Sequence, residues 1–202
     1  MKKPELKRLT REGLMIVFSV LFALFISQLV DDNKTRRQKD QALDHIFKEL
    51  ETNKGTLERW IAKHGKIESD ISRMIEDPND SMRLVLTQSP RLDFGVITST
   101  FIDALLGDTA WEAAKSTQII SEFDFNLVED LTRIYGLQKI IMNNTVEKFS
   151  DVYFDRASHE PANLESTLIQ LQLVMNEIVG QEGTLIYLLE VLDQKFGELK
   201  NI

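Results

Sequence analysis

Cysteine is absent from the 202 residues, which removes disulfide frameworks, Cys-based zinc sites and thiolate catalysis together. Glycine and proline number nine and four, roughly half their usual share, so few tight turns are available and long helices are favoured. Histidine occurs three times, at 45, 64 and 159. The residues three before these are Ala42, Ile61 and Arg156, so the Glu-x-x-His pattern of helical di-iron bundles is not met. A Gly-rich phosphate loop, Gly-x-Ser-x-Gly and His-Glu-x-x-His are all missing. Asp and Glu are plentiful, yet at helical spacing they read as a solvated face. The expectation is a chain with no catalytic residue, no cofactor and no metal. It is still long enough for one domain with a sizeable core.

What is present is unevenly placed. From Leu14 to Val30 the chain reads LMIVFSVLFALFISQLV, without a formal charge, between Arg11-Glu12 and Asp31-Asp32. At ~1.5 Å per residue this makes about 26 Å of helix, close to the ~30 Å hydrocarbon core of a bilayer. Its Leu, Ile, Val and Phe residues contribute about −4 to −7 kcal/mol to insertion. A cleaved signal peptide is disfavoured because Ile26-Ser27-Gln28-Leu29 offers no small-x-small site, and a core helix would seldom be apolar on every face. The segment is expected to be an uncleaved transmembrane helix, residues 14–30, after a basic tail, 1–13.

Lys2, Lys3, Lys7, Arg8 and Arg11 against Glu5 and Glu12 leave +3 on that tail, so the −8 of the whole chain becomes −11 for residues 31–202. The acidic body argues against nucleic acid as a partner. Lys34, Arg36, Arg37 and Lys39 lie just beyond the span, so the count of cations on the two sides is nearly tied. A short basic tail is costly to translocate, which favours an N-terminus in the cytoplasm and a periplasmic or otherwise extracytoplasmic body, anchored in the inner membrane.

Beyond Asp40, apolar residues recur every seven positions. Leu43, Leu50, Leu57, His64 and Ile71 form one row; Ile46, Asn53, Trp60, Ile67 and Met74 form the next, with Phe47, Ile61 and Ile75 beside them. That width suits a helix packed among several others, ending at the breaker Asp77-Pro78-Asn79-Asp80. A second run, Leu164, Leu168, Leu171, Met175, Ile178, Glu182, Leu185, Leu189, Leu192, Phe196 and Leu199, has one polar member, Glu182, flanked by Gly180 and Gly183. A kink or break is expected there. A third run, Val128, Leu131, Tyr135, Gln138, Met142, Thr145, Phe149 and Val152, ends near the loop Asp155–Pro161.

The predicted fold is all-α: a transmembrane helix followed by an antiparallel bundle of three long helices, about 33–76, 125–154 and 162–199, with short helices inserted over about 81–122. Asp80 and Asp108 are candidate N-caps, and Phe94–Thr98 is the one brief strand pattern.

Ser19, Ala23 and Ser27 share one face of the span, where small side chains let two helices approach closely; this is a candidate packing face for a homo-oligomer. His45 with Glu49 reads as a solvated pair, His64 as a hydrogen-bonded core histidine, and Asn53 as a buried polar residue that sets register. Trp111, in Trp111-Glu112-Ala113-Ala114-Lys115-Ser116, is either a docking residue or a pin holding the short helices to the long ones.

The order of a basic N-terminus, a span closing in Gln28-Leu29-Val30-Asp31-Asp32, Glu49-x-x-x-Asn53, Trp111-x-x-Ala114-Lys115-Ser116 and Leu127-x-x-x-Leu131-x-x-x-Tyr135 resembles a family of small, uncharacterised single-span bacterial membrane proteins. Thr117 stands where such proteins often have Gly. The resemblance implies an inner-membrane protein with a helical, periplasmic body, and carries over no activity, cofactor or functional residue. The expected role is that of a membrane-anchored interaction protein, with the lipid bilayer and an unidentified protein as partners. The alternative is an extracytoplasmic ligand-binding sensor that signals through a partner.

Overall fold

The computed structural model describes residues 3–88, 90–97 and 101–200, and among them all regular structure is helical. Helix α1 covers Lys3–Glu76 without interruption. The boundary expected between a span ending at Val30 and a helix starting near residue 33 does not exist. Asp31-Asp32-Asn33-Lys34 contains neither Gly nor Pro, and Asn33 turns its Nδ2 back to the Leu29 carbonyl, 3.0 Å away, so nothing stops the helical ladder. The helix does end where expected. Proline disfavours the helical conformation in the residue before it, here Asp77, and Asp80 caps the next helix, α2 (Ser81–Leu86), accepting from the amides of Met82 and Arg83.

The remaining elements are α3 (Thr109–Ser116), α4 (Phe125–Ile140), a π-helical turn (Ile141–Thr145), α5 (Val146–Phe154) and α6 (Leu164–Lys200), with 3₁₀ turns at Phe94–Val96, Ile119–Glu122, Arg156–His159 and Pro161–Asn163. Phe94–Val96 corrects the strand expected there: the Asp93 carboxylate accepts the Gly95 amide at 3.0 Å and closes a turn. Thr98 lies outside the described residues. Helix α6 passes through Gly180 and Gly183 unbroken, because the buried row on both sides, Met175 and Ile178 before and Leu185 and Leu189 after, outweighs the roughly 1 kcal/mol that each glycine costs a helix. The run expected as one helix over 125–154 is divided by the π turn, and the buried row there steps from Met142 to Ile141.

The heptad rows of α1 and α6 face each other. Ile46, Leu50, Leu57 and Trp60 pack with Leu185, Leu189 and Leu192, while Ile67, Ile71 and Met74 pack with Leu168, Leu171 and Met175. Early α1 thus meets late α6, so the two run in opposite directions. Each fully buried Leu or Ile contributes about 1.5–3 kcal/mol. The apolar clusters are two rather than one, divided at the level of His64 and Glu182. The side chains of Phe196 and Leu199 are outside the described set.

By contrast, every residue from Leu14 to Val30 is exposed, and the helix carrying them is long and apolar enough to cross a membrane.

Candidate functional site

The polar residues that interrupt the apolar rows are brought together. Glu49, Asn53, Trp60 and His64 lie on one side of α1, and each fastens one point of the segment running from Phe101 to Ala110. The Glu49 carboxylate accepts the Ala110 amide at 3.0 Å and the Tyr135 hydroxyl at 2.7 Å. Asn53 donates to the Gly107 carbonyl at 2.7 Å and accepts its amide at 2.8 Å. The Trp60 indole donates to Asp103 at 2.8 Å, and His64 Nε2 donates to the Phe101 carbonyl at 3.0 Å. Residues 101–108 therefore form a strap leading into α3, tied by side chains because it has no backbone ladder of its own.

Gly107 is where the strap comes closest. A Cβ built there would meet Glu49 Cγ at 3.2 Å and Oε2 at 3.3 Å, so any side chain here would make the pinned Glu49 give way by a few tenths of an ångström. Gln138 completes the contact, donating to the Gly107 carbonyl at 2.8 Å while accepting from Asn53 at 3.0 Å. Thr145, the other polar member of the third run, donates to Gln181 at 2.8 Å. Asn53 with Gln138 and His64 with Glu182 thus answer one another across helices, which the separate rows do not announce.

The cap of α3 comes from outside the strap. Asp108 occupies the N-cap position but makes no side-chain capping bond; Glu49, reaching from α1, takes the Ala110 amide instead. Glu49 is therefore not the solvated partner of His45. Trp111 on α3 is buried and stacks on Tyr135, ring centroids 5.5 Å apart and planes 1° off parallel. Burial, together with the Glu49 carboxylate, pushes the Tyr135 phenol above its ordinary pKa, so it remains a donor. The indole N–H of Trp60 holds the Asp103 carboxyl below the usual range, with Lys63 and Arg59 nearby.

At the centre lies the pair His64 and Glu182, both 0% exposed, with Nδ1 and Oε1 2.7 Å apart. Since Nε2 donates to Phe101, a single further proton sits between imidazole and carboxyl, and the pair is neutral overall. Burial pushes the Glu182 carboxyl above its ordinary pKa, against the opposing hydrogen bond from His64. Glu182 Oε2 is buried without a hydrogen-bond partner. The imidazole stacks on Phe101 at 4.4 Å between centroids, and Phe101 stacks on Phe149 at 3.8 Å. Outside this stack a groove of about 560 Å³ is lined by Phe101, Ile102, Leu105, Met142, Phe149 and Tyr153 among others.

The remaining expected residues are scattered. Ser19, Ala23 and Ser27 are exposed on the apolar part of α1, and Ser19 donates its hydroxyl to the Met15 carbonyl. His45 is exposed; His159 bridges the carbonyls of Leu92 at 2.9 Å and Tyr153 at 2.8 Å. Among the described residues no group of three or more His, Asp or Glu is placed to hold a metal ion. Comparison of the chain with protein-family models, curated proteins and solved structures finds no match.

Proposed function

We propose that this chain is a membrane-anchored interaction protein with no catalytic chemistry of its own. Residues 14–30 cross the inner membrane, the N-terminus is cytoplasmic, and residues 31–202 form a periplasmic antiparallel bundle built on α1, α4–α5 and α6. The observation that supports this most is the contrast within one helix. Leu14–Val30 is apolar and exposed all round, while positions 46 to 74 of the same helix are polar on one side and buried on the other. The first pattern matches lipid as solvent and the second a water-soluble core. The pinned strap and the neutral His64–Glu182 pair serve the body's architecture: Asn53 is matched to Gln138 and His64 to Glu182 across helices, which specifies a single packing register.

Fractionation tests the anchor. The full chain is expected to sediment with membranes, resist alkaline carbonate and high salt, and dissolve in detergent; recovery in the soluble fraction without detergent would overturn the reading. A reporter fused after Ile202 that is active only outside the cytoplasm tests the orientation. Affinity purification from detergent-solubilised membranes identifies the partner.

A second reading, a ligand-binding sensor, draws support from the apolar groove beside Phe101 and Phe149, whose size falls in the range of small-molecule sites. A small molecule that raises the unfolding midpoint of the wild type, but not of Phe149→Ala, would favour it.

A further inference from the structure

We propose that Lys34, Arg36, Arg37 and Lys39 form a basic collar that binds the anionic headgroups of the leaflet from which the body emerges. The inference rests on the reading of residues 14–30 as the membrane span.

Three observations converge on the collar. First, α1 is continuous through it, so its height above the span is set by helix geometry: at ~1.5 Å per residue, Lys34 stands about 6 Å and Lys39 about 14 Å beyond Val30. A headgroup layer extends about 5–8 Å beyond the hydrocarbon on each side, and Lys and Arg side chains reach back several ångströms along the helix. All four cations can therefore touch phosphates.

Second, the four are available. Lys34, Arg36 and Arg37 are exposed and Lys39 is partly so. Asp32 and Asp40 each lie four residues from Arg36, the spacing of a helical ion pair. Among the described residues, nevertheless, none of the four cations makes an ion pair. Apolar packing of the body against α1 begins at Ala42 and Leu43, so on this stretch only Thr35 and Lys39 are half-buried and the other residues are exposed.

Third, the charges surround the helix. Successive residues turn by ~100°, which points these four side chains in separate directions, a ring suited to a planar layer on all sides rather than to a partner on one. The body beyond is strongly acidic, so a large soluble polyanion would be repelled, whereas the leaflet adjoins only residues 31–40, where the four cations outnumber Asp31, Asp32 and Asp40.

The test uses the full chain, wild type and Lys34→Gln/Arg36→Gln/Arg37→Gln/Lys39→Gln. Both are first placed in vesicles of phosphatidylcholine and washed with carbonate. They are then taken into mild detergent with equal phosphatidylglycerol and phosphatidylcholine, and the lipids retained per chain are counted by native mass spectrometry. A cation near an anionic surface is worth about five-fold in affinity. The wild type is therefore expected to retain phosphatidylglycerol over phosphatidylcholine by about ten-fold or more, a preference that falls as salt is raised and drops several-fold in the quadruple variant, to what the basic tail 1–13 sustains. The variants Lys34→Gln/Arg37→Gln and Arg36→Gln/Lys39→Gln should fall between. Glutamine is a good helix former at exposed positions, and unchanged circular dichroism confirms that loss of lipid is not loss of fold. Stable insertion with no preference in the wild type, or with the same preference in the quadruple variant, overturns the collar and leaves the span standing. Carbonate extraction of both proteins overturns the span and the collar with it.

Discussion

A carboxyl and an imidazole sharing one proton in an apolar core behave unlike either group alone, and His64 and Glu182 can be separated by mutation. His64→Ala would strand a buried carboxyl and is expected to cost about 3–5 kcal/mol. Glu182→Gln, which keeps a hydrogen bond to Nδ1, should cost about 1 kcal/mol or less. Their pH dependence has a definite sign. Because burial holds the Glu182 pKa above its ordinary 4.5, the folded state binds its proton more tightly than the unfolded chain does. The stability this confers is complete below 4.5 and declines as pH rises through the folded value. Denaturant titrations should therefore show Glu182→Gln gaining on the wild type from pH 4.5 upward; a gap that moves the other way would place the pair in the ionised form. Gly107→Ala tests the strap: a Cβ against Glu49 should cost about 1–3 kcal/mol. Combined with Glu49→Ala, the loss should be clearly less than the sum of the two, because both act on the same contact.

Among the elements, the long helices were legible in the sequence because a seven-residue period survives any tertiary detail; the rows of α1 and α6 are buried along nearly their whole described length. His64, Asn53 and Glu182 stood out there as exceptions, but their partners did not. Periodicity reports which face is inward and says nothing of which helix stands opposite, so the pairing of His64 with Glu182, 118 residues apart, needed coordinates. Nor could the strap be read, since its contacts come from single side chains at irregular spacing. The π turn was hidden for another reason: a wide turn takes up one extra residue locally and leaves the flanking pattern nearly intact. It follows that deleting exposed Asn143 should let the turn close as ordinary α-helix, with a stability change within about 1 kcal/mol. Deleting exposed Thr132 should rotate the rest of α4 by ~100° and cost about 4 kcal/mol or more; thermal unfolding of the two variants separates these outcomes. At the α1–α2 corner, Arg73 donates to Asp80 at 2.6 Å and, with the capped amides, holds the Asp80 carboxyl below its ordinary 3.8. Its contribution is present above that value and lost as pH falls below it. The advantage of the wild type over Asp80→Ala should accordingly shrink on acidification past 3.8.

For the whole molecule, the division of the core at the His64–Glu182 level means two apolar clusters share a pair of helices. Hydrogen exchange in detergent should show the slowest amides of α1 in both 46–60 and 67–74, and fast exchange over 31–34, where every residue is exposed. The unbroken run of α1 also sets a standoff height. With Val30 at the edge of the hydrocarbon, as proposed, Glu76 stands about 69 Å above it at ~1.5 Å per residue, a distance fixed by the ladder of backbone hydrogen bonds and not by any contact of the body. A partner that meets the Asp77–Asp80 corner must itself reach that altitude. Seven residues inserted between 31 and 41 should lift the body by about 10 Å while turning it only ~20°. The height of the body can thus be altered with its core and its bearing nearly unchanged.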